Sequence, residues 1–156
     1  MKRFLYTLCL VALLTGLSSC SKNNDPAPTS PIVGRWELNR GLLSGFPSTT
    51  NYNGNSVDLY LFESIGSTID IFSDNTFNEN LRKGGVGDAG GTWEFNNNSL
   101  TLKYDSGDQD TYTYSKNKNI EELTSTTSIN YSLPASTTAT STTATVAGKI
   151  QFVYRK

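Results

Sequence analysis

The chain contains no histidine and only two cysteines in its 156 residues. The absence of histidine removes the commonest general base and the commonest metal-binding side chain. Cys9 lies in an apolar leader and Cys20 lies just after it, so the processed domain is predicted to hold neither a disulfide nor a free thiol. We therefore expect a domain stabilised by its core alone, with no metal, no cofactor and no enzymatic activity.

Residues 1–19 have the features of a secretory signal peptide. Lys2 and Arg3 form a positive start, and the apolar stretch that follows is short for a membrane span. The stretch ends in Leu17-Ser18-Ser19-Cys20, which resembles a bacterial lipobox, the motif whose cysteine receives lipid. We expect cleavage before Cys20 and acylation of that residue, which would hold the protein on a membrane. A secretory signal followed by a chance cysteine is the alternative.

The segment after the cysteine, within residues 20–31, is polar and contains three prolines. It has little to bury, so we predict a flexible tether. By resemblance to lipoproteins, Ser21 favours the outer membrane, on either its periplasmic or its surface side. Removal of the leader takes away two of the 13 basic residues and none of the 14 acidic ones, which leaves a net charge of about −3. That charge argues against nucleic-acid binding, because a basic patch would be expected there.

Residues 32–156 alternate apolar and polar positions in short runs separated by turn residues. Gly34-Arg35-Trp36-Glu37-Leu38 and Gly91-Thr92-Trp93-Glu94-Phe95 share a pattern that places the tryptophan and the next apolar residue on one face of a strand. Turns are predicted at Ser73-Asp74-Asn75, Asn96-Asn97-Asn98 and Asp105-Ser106-Gly107-Asp108. About eight strands in sequential hairpins favour an all-β fold, a single antiparallel up-and-down β-barrel, which leaves no exposed sheet edge.

Four segments are less regular. Residues 39–55 are predicted to form a loop that holds an apolar group, and residues 57–65 fit either a strand or a helix. Residues 120–131 are predicted to form one bulged strand. The segment 134–145, rich in serine, threonine and alanine, fits either a long hairpin loop or a strand at a sheet edge.

The chain resembles the lipocalin-like domains of Bacteroidota lipoproteins over residues 32–156. The resemblance rests on Gly34-Arg35-Trp36, on Phe72-Ser73-Asp74-Asn75-Thr76-Phe77, on Gly91-Thr92-Trp93 and on Leu100-Thr101-Leu102. It implies an eight-stranded barrel able to carry a hydrophobic ligand. True lipocalins also have an arginine near the end that packs on the first tryptophan; Arg155 is the nearest candidate, but its alternation points it outward.

Three segments contain residue types that can form chemical sites. Asp105, Asp108 and Asp110 could hold calcium, but their spacing fits an EF-hand poorly and a polar hairpin turn explains them. Glu63 with Glu121-Glu122 could form an acid–base pair, and solvated charges on a strand explain the same residues. The glycine-rich segment 84–91 lacks the ending of a phosphate-binding loop, so we expect a flexible connection.

The aromatic residues support the leading hypothesis, which is non-catalytic binding of a small apolar or amphipathic molecule in the barrel. The predicted ligand-binding residues are Leu42, Phe46, Trp36, Trp93, Tyr112, Tyr114 and Phe152. Leu42 and Phe46 would form either a lid or a plug, and the inward aromatics would either line a pocket or fill it. The alternative is a surface module that contacts protein or glycan through its loops, over a filled barrel. In both cases we expect a monomer, joined to the membrane by its N-terminal lipid.

Overall fold

The structure is a computed structural model that describes residues 29–82, 88–135 and 144–156. The signal peptide, Cys20, most of the tether, Gly84, Gly85 and Gly87, and residues 136–143 lie outside the described residues. The elements are β1 (Gly34–Ser44), β2 (Ser56–Val57), α1 (Leu59–Glu63), β3 (Gly66–Ile71), β4 (Thr76–Arg82), β5 (Asp88–Asn96), β6 (Ser99–Tyr104), β7 (Gln109–Asn117), β8 (Ile120–Ser125), β9 (Ile129–Pro134) and β10 (Thr145–Arg155).

Eight of these strands close into an antiparallel barrel. The order around the ring is β1, β3, β4, β5, β6, β7, β8 and β10, and β10 pairs again with β1. Successive hairpins join β3 through β8, as the spacing of turn residues predicts. The predicted up-and-down barrel is therefore confirmed, and closure removes the free edges that an open sheet would have.

The tight turns lie at asparagine and glycine residues, which favour them. Asn75, Asn97 and Asn98 have positive φ angles of 66°, 50° and 63°, and Gly107 has a φ of 96°. Asparagine and glycine adopt this left-handed conformation at less cost than other residues. The three predicted turn sites are confirmed.

A bulge in β1 changes which residues face the interior. The register with β10 shifts between Leu38 and Arg40, so one extra residue enters the strand. Trp36 and Leu38 pack in the interior before the bulge, whereas Gly41 and Leu43 are buried after it. The inward positions therefore change from even to odd numbers along one strand.

Strands β1 and β10 have 11 residues each and continue beyond the ring. Strand β2 pairs with β1 there, and β9 pairs with the first half of β10. The prediction of one strand over residues 120–131 is wrong, because the chain leaves the barrel after Ser125. The hydroxyl oxygen of Ser125 accepts the Phe152 N–H at 3.0 Å and donates to the Thr127 carbonyl at 2.9 Å, which marks the break between β8 and β9.

The segment between β1 and β3 folds back over this four-stranded extension. The predicted loop starts too early, since β1 continues to Ser44. The Asn53 side chain accepts from the Phe46 N–H and donates to the Phe46 carbonyl, both at 2.8 Å, which holds the loop in place. Residues 59–63 are helical, with Asp58 accepting the Leu61 N–H at 3.0 Å as the N-cap. The ambiguity of this segment is therefore resolved as a short helix.

Two apolar clusters result. The barrel cluster contains Ile32, Trp36, Ile69, Ile71, Phe77, Trp93, Leu100, Leu102, Tyr112, Tyr114, Leu123 and Tyr154. The extension cluster contains Leu43, Phe46, Val57, Leu59 and Ile150. Leu38 and Phe152 pack against both clusters, so the two are continuous.

Candidate functional site

The tryptophans and tyrosines predicted to face the interior are packed there. Trp36 is fully buried, and its indole N–H donates to the Ile32 carbonyl at 2.7 Å. Trp93 is also buried and donates to the Phe72 carbonyl at 2.9 Å. The Tyr114 ring makes edge contacts with Trp36 and with Phe95. These contacts are those of side chains that fill a core, with both indole N–H groups bonded to the backbone.

The other predicted ligand residues are not gathered at one barrel opening. Leu42 lies within β1, half-buried between the buried Gly41 and Leu43, so alternation places it on the opposite face from the extension cluster. Phe46 is 5% exposed and packs edge-on against Tyr52, with ring centroids 5.4 Å apart. Phe152 is half-buried between the two clusters.

An apolar opening lies beside the extension cluster. We call it the α1–β9 groove; it has a volume of about 570 Å³. It is lined by Leu43, Tyr52, Asn55, Ser56, Val57, Phe62, Leu133 and Pro134. Leu43 and Val57 are buried at its base, whereas Phe62 is 72% exposed on its wall. Small-molecule sites have this size and this mixture of apolar walls with a few polar groups.

Two tyrosine hydroxyls tie the walls of the groove together. Tyr52 donates to the Pro134 carbonyl at 2.7 Å, which joins the loop after β1 to the end of β9. Tyr131 donates to Glu63 at 2.6 Å, which joins β9 to α1. Burial, followed by the hydrogen bond to Glu63 and its charge, raises the pKa of Tyr131 to about 12. The groove is therefore held in shape by contacts between elements that are distant in sequence.

Glu63, Glu121 and Glu122 each have a different partner. Glu63 bonds Tyr131, while Glu121 pairs with Lys116 and Glu122 pairs with Arg40. No described cluster of three or more acidic, cysteine or histidine side chains could hold a metal ion. The described contacts therefore do not assemble an acid–base pair from Glu63 and its two predicted partners.

A polar cluster inside the barrel is the feature that sequence reasoning missed. Glu79 accepts from Ser67 and from Tyr104, each at 2.8 Å, and lies 3.4 Å from the Tyr154 hydroxyl. The Tyr104 hydroxyl also lies 3.1 Å from an Asp110 oxygen. The signal was available, because Phe77, Glu79 and Leu81 alternate on one face of β4 and Phe77 is a core residue.

Glu122 joins three strands on the outside of the barrel, where the ring closes. Arg40 on β1 donates to it at 2.6 and 3.0 Å, and Arg155 on β10 donates at 2.8 Å. The hydrogen bonds from Arg40, with those from Arg155, lower the pKa of Glu122 to about 2. Arg155 thus points outward, as its alternation predicts, and Lys156 instead lies over Trp36.

Comparison by sequence with protein families and with curated proteins yields no match. Within the described ranges, none of the helical structure is long and apolar enough to cross a bilayer.

Proposed function

We propose that this chain is a lipid-anchored envelope lipoprotein whose lipocalin-like barrel domain binds a small apolar or amphipathic molecule without catalysis. The α1–β9 groove is the observation that carries the binding proposal. Its volume of about 570 Å³ suits a molecule of a few hundred daltons. Its base is apolar, and Asn55 and Ser56 offer polar contacts at its edge. This site differs from the barrel interior expected from the sequence, where the described side chains pack against one another.

The binding proposal is tested by native mass spectrometry of the full chain, purified from a bacterial host in mild detergent without added ligand. We expect a discrete adduct of low mass that Phe62→Asp removes and Leu61→Asp retains. These neighbours are matched because both are strongly exposed, 72% and 75%, while only Phe62 lines the groove. An adduct unaffected by Phe62→Asp, or no adduct in the unaltered chain, contradicts the proposal.

The anchoring proposal rests on the lipobox-like Leu17-Ser18-Ser19-Cys20 and is tested separately. Cells grown with an alkyne-labelled fatty acid should label the protein at Cys20, and fractionation should place it with the outer membrane. Cys20→Ala should lose the label, whereas Cys9→Ala should keep it, because Cys9 lies in the cleaved leader. Label that persists in Cys20→Ala contradicts lipidation at this residue.

A second candidate function is a surface interaction module, and the exposed side of α1 favours it. Tyr60, Leu61 and Phe62 are consecutive and are 58%, 75% and 72% exposed. Exposed apolar groups of this kind mark interaction sites more often than scattered single residues do. The same two variants distinguish the two functions. Binding of a protein partner should be lost with both Leu61→Asp and Phe62→Asp, whereas binding of a small molecule should be lost with Phe62→Asp only.

A further inference from the structure

The α1–β9 groove is built almost entirely from parts of the chain that carry no charge. Residues 41–57 and 123–148 contain no aspartate, glutamate, lysine or arginine, although 17% of the whole chain is charged. At that frequency, two stretches of this length would hold several charged residues. They supply every residue that lines the groove except Phe62, which lies on α1. The lining of the groove, as far as the structure describes it, is therefore wholly uncharged.

The charged residues at the two ends of α1 are both acidic. The Asp58 carboxylate accepts the Leu61 N–H at 3.0 Å where the helix begins, and Glu63 accepts the Tyr131 hydroxyl at 2.6 Å where it ends. Lys149 on β10 precedes Ile150, a member of the extension cluster, so alternation places the lysine on the opposite face of the sheet. A carboxylate in the groove would therefore meet negative charge at α1.

The polar groups of the groove are neutral. The Tyr52 hydroxyl gives its proton to the Pro134 carbonyl at 2.7 Å, so its oxygen is left to accept a further bond. The Asn55 amide nitrogen donates to the Asn51 carbonyl, which leaves the Asn55 side-chain oxygen as an acceptor. Ser56 is exposed, and its hydroxyl both donates and accepts. This set is rich in acceptors and suits a ligand group that donates a hydrogen bond without carrying charge.

The cost of burial decides between charged and uncharged ligands. A charged group taken out of water costs free energy unless an opposite charge pairs with it, whereas a hydroxyl needs only a hydrogen-bond partner. We infer that the α1–β9 groove binds an uncharged amphipathic molecule with a hydroxyl head group, and that it discriminates against the carboxylate of a fatty acid. The apolar part of the ligand would lie on Leu43 and Val57, which are buried at the base. This inference rests on the proposed binding function and names its class of ligand.

A pair of probes that differ only in the head group tests the inference. The full chain in mild detergent is titrated with octanol or with octanoate at neutral pH and followed by native mass spectrometry. We expect octanol to bind more tightly by about tenfold or more, because octanoate finds no cation in the groove. Phe62→Asp should remove binding of octanol, whereas Leu61→Asp, which is equally exposed but does not line the groove, should retain it.

An introduced cation should reverse this preference. Ser56→Lys places a positive charge in the lining, so octanoate should bind about tenfold more tightly than it does to the unaltered chain. Ser132→Lys is the matched control, because Ser132 is exposed on β9 and alternates with Leu133, which packs on the extension cluster. It should leave both affinities unchanged. Asn55→Lys serves the same purpose if Ser56→Lys does not fold.

The outcomes separate this inference from the groove proposal. Octanoate that binds as tightly as octanol, and is lost with Phe62→Asp, overturns the inference while the groove proposal stands. A gain in octanoate affinity that is equal in Ser56→Lys and Ser132→Lys also overturns it, since net charge would then set the affinity. Binding of neither probe contradicts the groove proposal and this inference together.

Discussion

The ammonium group of Lys156 lies 5.5 Å from the centre of the Trp36 ring. It also donates to the carbonyls of Pro31 and Val33, at 2.8 and 2.6 Å. One lysine therefore holds the segment before β1 against the end of the barrel, where Ile32 and Trp36 are fully buried. The cation therefore lies over the first tryptophan of the chain.

Replacement of this lysine should loosen that end of the barrel. Lys156→Met removes a cation–π contact and two charged hydrogen bonds, so we expect a loss of about 1–3 kcal/mol in the free energy of unfolding, measured with urea. Lys103→Met is the control, because its exposed pair with Glu94 should contribute less than about 1 kcal/mol. Equal losses in the two variants would contradict the role assigned to Lys156.

Acid should weaken the contacts that Glu122 makes with Arg40 and Arg155, where the ring of strands closes. Its folded-state pKa of about 2 lies below the ordinary value of 4.5, so its contribution is full above pH 4.5 and is lost as the pH falls towards 2. Glu122→Gln should cost about 1–2 kcal/mol at pH 7, allowing for solvent screening, because two arginines lose their partner. The difference from the unaltered chain should disappear between pH 4.5 and pH 2. A difference that persists at pH 2 argues against this linkage.

Alkali should weaken the hydrogen bond that Tyr131 makes beside the groove. The pKa of Tyr131 is raised from 10.0 to about 12, so its hydrogen bond to Glu63 contributes fully below pH 10 and is lost as the pH rises to 12. Ultraviolet titration of tyrosinate should show Tyr131→Phe lacking one late transition. Glu63→Gln should move that transition to lower pH, since it removes the negative charge. An identical titration in all three proteins rules out this coupling.

Gly91 should tolerate no side chain. A Cβ at this position would lie 2.0 Å from the Lys103 carbonyl oxygen on β6, a backbone atom that cannot move aside. Gly91→Ala should therefore cost about 3 kcal/mol or more in thermal or urea unfolding. Gly107→Ala is the comparison, with open space but a φ of 96°, and should cost only about 1–2 kcal/mol. The prediction fails if both variants have equal stability.

The barrel can be predicted from local sequence patterns because each hairpin joins strands that are neighbours in the sequence. Asn75, Asn97, Asn98 and Gly107 mark turns by their own conformational preferences, and alternation defines the inward face wherever a strand is regular. Alternation therefore predicts that Trp36, Trp93, Tyr112 and Tyr114 face inward, and all four are buried. The lipobox-like motif and the absence of histidine are likewise properties of the sequence. The first predicts the location of the protein and the second limits its chemistry, and neither inference requires a fold.

Only the tertiary structure determines where the α1–β9 groove and the polar cluster around Glu79 lie. The bulge after Leu38 reverses the alternation of β1, so Leu43 enters the extension cluster and Leu42 does not; no local preference predicts that shift of register. The α1–β9 groove joins residues more than 70 positions apart. Glu79 meets Ser67, Tyr104 and Tyr154 only because ring closure brings β3, β4, β6 and β10 around one interior. Non-local pairing depends on how the whole sheet closes, and no short stretch of sequence contains that information.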